Sequence, residues 1–173
     1  KMRELVDPAD LAAAEADYDQ GCGLAPGWAA VWFLRGMHHL ELYARSRGLP
    51  AALVEDGRVS LAPAPPESAG QARLREQGLA ELARMASASE HDPTLGVERA
   101  RMGKALAAIH RGGAAEWQAA LELVEGIDHP RAARLRGMAL YFLLRLEEAV
   151  AAFGPALEAW PQDAVSWGAR GSA

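Results

Sequence analysis

The chain has 173 residues, is 50% hydrophobic with only 6% aromatic residues, and carries a formal charge of -5. This composition describes an alanine-packed chain able to bury a normal core, which excludes disorder, and its acidic balance argues against nucleic acid as the main partner, since phosphate neutralisation needs a dominant basic surface. A single cysteine, Cys22, excludes an intramolecular disulfide and a multi-cysteine zinc site; it fits a reducing compartment, read here as the cytoplasm, although a cysteine-poor periplasmic protein would share the feature.

No run reaches the length of a membrane-spanning helix, and the opening KMRELVDPAD lacks the apolar core of a signal peptide, so no membrane insertion is expected. The chain reads as one domain over residues 1–173 and as a piece of something longer. Richness in alanine and arginine, with Lys1 and Lys104 as the only lysines, points to a GC-rich bacterial genome.

Asp7-Pro8-Ala9-Asp10 opens a helix, with Leu11, Ala14 and Tyr18 on one face. After Pro26, residues 27–47 read as a long helix in which Trp28, Val31, Trp32, the Arg35 stem, Leu42 and Tyr43 recur at helical spacing. From Gly48 to Gly70 the pattern breaks. A hairpin around Asp56-Gly57 and the proline cluster Pro63, Pro65, Pro66 make residues 48–70 an inserted loop, because those prolines forbid further helices. Helical periodicity resumes over 71–89, with Leu74, Leu79, Leu82, Met85 and Ala86 inward. It continues over 94–110 and 114–125 around Arg111-Gly112-Gly113, over 131–144 and 147–160, and in a last opening at 164–170.

One helix ending is written repeatedly. Tyr18-x2-Gly21-x4-Pro26, Met85-x2-Ala88-x4-Pro93 and Phe153-x2-Ala156-x4-Pro161 share a pattern, with a shorter copy at Leu123-x2-Gly126-x3-Pro130. Pro26 to Pro93 is 67 residues and Pro93 to Pro161 is 68, about twice the roughly 34-residue period of helix-turn-helix repeats. A large apolar residue fills the gap between units, a small one lets the next helix approach, and proline stops the helix.

The segment PRAARLRGMALYFLLRLEEAVAAFGPALEAWP resembles the tetratricopeptide repeat, whose pattern is W-x2-LG-x2-Y followed by A-x3-F, A and P. Gly137, Leu140, Ala149, Phe153, Ala156 and Pro161 fall on its positions, while Ala133 and Arg136 replace the usual Trp and Leu. Trp32-x2-Arg35-Gly36 and Trp167-x2-Arg170-Gly171 each begin six residues after a closing proline. In the second unit Glu81 stands where the family has alanine. The resemblance implies an all-α, right-handed superhelix of antiparallel helix pairs whose first helices line a concave groove. On the family register the partner-binding wall takes Phe33 and Met37, then Lys104, then Arg131, Arg134, Met138 and Tyr141. Lys104, Arg131 and Arg134 read either as a positive site for a carboxylate or as ordinary surface charge. The subtype that clamps chaperone tails is set aside: the chain contains no asparagine, and Phe33 and Met37 stand where that clamp needs lysine and asparagine.

Catalytic and metal chemistry find little footing. His38, His39 and Glu41 lack a second ligand pair, Cys22 lacks a designated base, and the pairs Asp17/Asp19 and Glu55/Asp56 lack the alternating ladder of a calcium loop. The expectation is a non-enzymatic, cofactor-free scaffold that binds a protein or peptide with an apolar segment and an acidic or carboxylate end. Two alternatives stay open. One is a sensor or regulatory region of a longer enzyme or signalling protein, with the insertion as a lid; the other is a self-assembling structural scaffold.

Overall fold

The computed structural model describes residues 8–92 and 95–172. Lys1, Asp7, Pro93, Thr94 and Ala173, and the side chain of Leu11, lie outside what is described. Within these bounds the chain is mostly helical: α1 (Pro8–Leu24), α2 (Ala29–Arg47), the strands β1 (Ala52–Glu55) and β2 (Arg58–Leu61), then α3 (Ala69–Ala88), α4 (Val97–Arg111), α5 (Ala114–Leu123), α6 (Pro130–Phe142), α7 (Leu146–Ala159) and α8 (Ala164–Ser172).

The ends of these elements follow from local chemistry. β1 and β2 pair antiparallel, Val54 opposite Val59, and the turn between them needs positive φ at both centres; Asp56 adopts 50° and Gly57 73°. α3 starts at a reciprocal capping box between Ser68 and Gln71. α6 starts with Pro130 in its first turn, behind a His129 side chain that accepts from the Arg131 amide. Trp28 gives α2 no side-chain cap; instead Asp92, at the far end of the same unit, accepts the Ala29 amide at 2.8 Å.

Two of the repeated endings fold alike. Trp28 donates its amide to the Ala25 carbonyl across Pro26, and Asp163 does the same to Trp160 across Pro161. The indole of Trp32 then donates to the Pro26 carbonyl at 2.8 Å, and that of Trp167 to Pro161 at 2.9 Å. Pro155, by contrast, sits inside α7. Proline ends a helix here only where the following residues supply the turn.

α2 packs on α3, α4 on α5 and α6 on α7, while α2, α4, α6 and α8 also touch in succession, so the first members of the pairs form a continuous row. Close crossings hold the pairs together. A Cβ on Gly36 would lie 2.8 Å from Leu82, one on Gly78 2.6 Å from Leu40, and one on Gly137 2.7 Å from Phe153. In the second unit, therefore, the small residue at the crossing is Gly78, three positions before Glu81. Met85 faces Gly103 of the next unit instead. Leu40, Leu82, Met85, Tyr141 and Phe153 are completely enclosed, and alanines fill the remaining contacts, which explains a core with so few aromatic residues. Among the described residues no helix is long and apolar enough to cross a membrane.

Candidate functional site

The insertion does not stand away from the helices. Its arms are pinned at the rim of the α2–α4–α6 row. The Tyr141 hydroxyl donates to the Pro50 carbonyl at 2.5 Å, Arg47 donates to the Pro65 carbonyl at 2.6 Å, and the Tyr43 hydroxyl donates to Glu67 at 2.6 Å, with Arg75 pairing the same carboxylate. Between the insertion and the helices lies a cavity of about 430 Å³. Its helical wall is Tyr43, Ile109, His110, Trp117, Met138 and Phe142; its insertion wall is Leu49 followed by small residues and prolines. Trp117 and Phe142 stack, with centroids 5.2 Å apart and planes 17° from parallel.

Ala44, His110 and Met138 also line a narrow cleft of about 20 Å³ on the same face, where the two arginines of α6 are found. Arg134 is paired on two sides: it holds both oxygens of Glu41 through its two terminal nitrogens, and its Nε lies 3.0 Å from Asp163 without forming a hydrogen bond to it. Burial opposes the charge on each partner, but the Arg134 hydrogen bond and charge hold the Glu41 carboxyl below its usual range, and Glu41 in turn raises Arg134. Arg131 is different. Its guanidinium lies 5.8 Å from the Trp160 ring centroid and forms no ion pair among the described residues. Burial and the like charge of Arg134 lower its affinity for its proton, opposed by Glu41. His110, partly buried, is pushed down to about 4 by burial against the pull of Glu41, so it is neutral at neutral pH.

A second charged cluster lies between α1, α2 and α3. The His39 imidazole has Nδ1 2.6 Å from Glu81 and Nε2 2.9 Å from Glu15, so both ring nitrogens face carboxylates; Arg35 adds contacts to Glu81 and Asp19. Burial disfavours the imidazolium, but the Glu81 hydrogen bond and the charges of Glu81 and Glu15 outweigh it and raise His39 above its ordinary value. Glu81, which breaks the alanine pattern in the sequence, is thereby explained: it neutralises Arg35 and His39.

Of the residues proposed for partner binding, Met37, Arg131, Arg134 and Met138 meet in one cleft. Phe33 does not reach it, because its ring is buried against Gly103, and Tyr141 is fully enclosed, with only its hydroxyl tied to Pro50. Lys104 is exposed and does not line the cleft, so the three-cation cluster is reduced to Arg131, with Arg134 already paired. His38 and His39 turn to Glu15 and Glu81 while Glu41 turns to Arg134, so these three do not converge. Cys22 is buried. His110 is a site residue that sequence reasoning missed, and Glu41, weighed there only as a metal ligand, meets a partner 93 positions away, for which no local pattern exists.

Compared with protein-family models, curated proteins and solved structures, the chain matches none.

Proposed function

We propose that the chain is a non-enzymatic binding scaffold, a tetratricopeptide-like right-handed superhelix whose α2–α4–α6 row takes an apolar peptide or protein segment ending in a carboxylate. The observation that carries this reading is Arg131. It is set over the Trp160 ring beside an apolar cleft and forms no ion pair among the described residues, while its neighbour Arg134 is ion-paired with Glu41 and Asp163. A guanidinium held against an aromatic face keeps its fork of donors pre-organised for a planar carboxylate, and partial exclusion of water strengthens the pair. Met37, Met102 and Met138, all buried, form the apolar floor of that cleft.

The test is selection from a display library of random peptides with free carboxyl ends, followed by calorimetry of the enriched sequences at low salt. The expected outcome is enrichment of apolar segments with an acidic or terminal carboxylate, and a loss of about 2 kcal/mol or more on Arg131→Glu. Enriched peptides that lack such a carboxylate, or that bind the variant as tightly as the parent, would overturn the reading.

A further inference from the structure

The cavity under the insertion is an open-mouthed pocket of about 430 Å³, within the size range of small-molecule sites, which begins at about 300 Å³. The ties from Tyr141 to Pro50 and from Arg47 to Pro65 hold the arms of the insertion at its rim. The residues it turns toward the space, among them Ala51, Ala62 and Ala64, are too small to fill it.

The walls specify the occupant. Trp117 and Phe142 are stacked nearly parallel, and flat apolar surface of this kind accepts a further ring by stacking or edge contact. A cationic ligand finds no carboxylate among the lining residues. Among the lining residues Arg47 is the one permanently charged group, and it donates to the Pro65 carbonyl. His110 is neutral, touches the Tyr43 ring edge-on at a centroid distance of 5.5 Å, and has no hydrogen-bond partner among the described residues. One of its ring nitrogens is therefore an acceptor for a single N–H or O–H.

We propose that this cavity is a binding site for a planar aromatic small molecule that carries one hydrogen-bond donor and no positive charge, the ring lying against Trp117 and Phe142 and the donor meeting His110. The proposal does not rest on Arg131, which lies outside this cavity, although Ala44, His110 and Met138 line both spaces.

The experiment is a fluorescence titration of the whole chain with N-phenylnaphthylamine, a neutral fused-ring amine that brightens in apolar surroundings, alongside an analogue bearing a quaternary ammonium group. Saturable one-to-one binding of the neutral probe is expected, with the cationic analogue at least about tenfold weaker because the lining offers no carboxylate and Arg47 repels it. Ala62→Trp and Ala64→Trp, which place an indole in the cavity from the insertion side, should each weaken the probe by at least about tenfold, whereas Arg131→Glu should leave it unchanged. Nuclear Overhauser contacts from the probe to the Trp117 and Phe142 rings locate it even if a substitution disturbs folding. The proposal fails if the neutral probe does not saturate, if the cationic analogue binds as well, if both folded tryptophan variants bind like the parent, or if the contacts fall on other rings.

Discussion

Phe153 lies flat against Gly137. A Cβ at position 137 would fall 2.7 Å from two ring carbons of Phe153, and the ring itself is fully enclosed. The helices α6 and α7 can approach this closely only because one residue has no side chain and the other fills the space thereby opened. Gly137→Ala is expected to destabilise the fold by about 1 to 3 kcal/mol through overpacking, and Phe153→Ala by about 3 to 5 kcal/mol through a cavity. Because the two residues touch, the double variant should lose less than the sum. Urea denaturation of the three variants checks this; strictly additive losses would mean the contact does not couple them.

The two arginines of α6 should separate cleanly. Arg134→Leu leaves Glu41 and Asp163 facing an apolar side chain in a partly buried place, so a loss of about 1 to 3 kcal/mol is expected after allowing for residual solvent. Arg131→Leu removes no ion pair and should stay within about 0.5 kcal/mol of the parent. Thermal unfolding of both variants is the measurement. If Arg131→Leu proved the more damaging, the division into a structural and a binding arginine would be wrong.

Histidines set the pH dependence in opposite directions. His39 is raised in the folded state, so the stability it contributes is full below the unfolded value of about 6.5 and is lost as pH rises through the folded value. His110 is lowered to about 4, so the unfolded chain binds the extra proton between about 6.5 and 4; its contribution is present above that window and lost as pH falls through it. His38, lowered chiefly by burial, acts in the same sense as His110. His39→Gln should therefore cost more at pH 6 than at pH 8.5, and His110→Gln should flatten the acid limb of the stability curve. Denaturation midpoints measured across that range decide it, and a His39→Gln deficit independent of pH would contradict the bridging imidazolium.

Trp32 and Trp167 hold equivalent turns through the same indole-to-proline-carbonyl bond. Replacing either by phenylalanine keeps most of the ring and removes the donor, with an expected loss of about 0.5 to 1.5 kcal/mol. The turns are far apart in the chain and share no partner, so the two losses should add. Strong coupling between them would point to propagation along the helical row.

The sequence by itself determined the helices, the hairpin and the spacing of units, because all three are local. Apolar periodicity, the Asp56-Gly57 turn, Ser68 with Gln71 and the proline-to-tryptophan interval each act over a few residues. It also placed Gly137 and Phe153 on their pattern positions. Only the tertiary structure decided that Gly78 rather than residue 81 makes the second crossing, because the crossing point is set by which residues of α2 and α3 the fold brings opposite each other. Only it decided that Glu81 serves Arg35 and His39, that Glu41 takes Arg134 out of the candidate site, and that Phe33 and Tyr141 are enclosed. Each of these depends on groups dozens of residues apart. A side chain's charge can be read from one position; whether that charge is already neutralised depends on what the fold brings beside it.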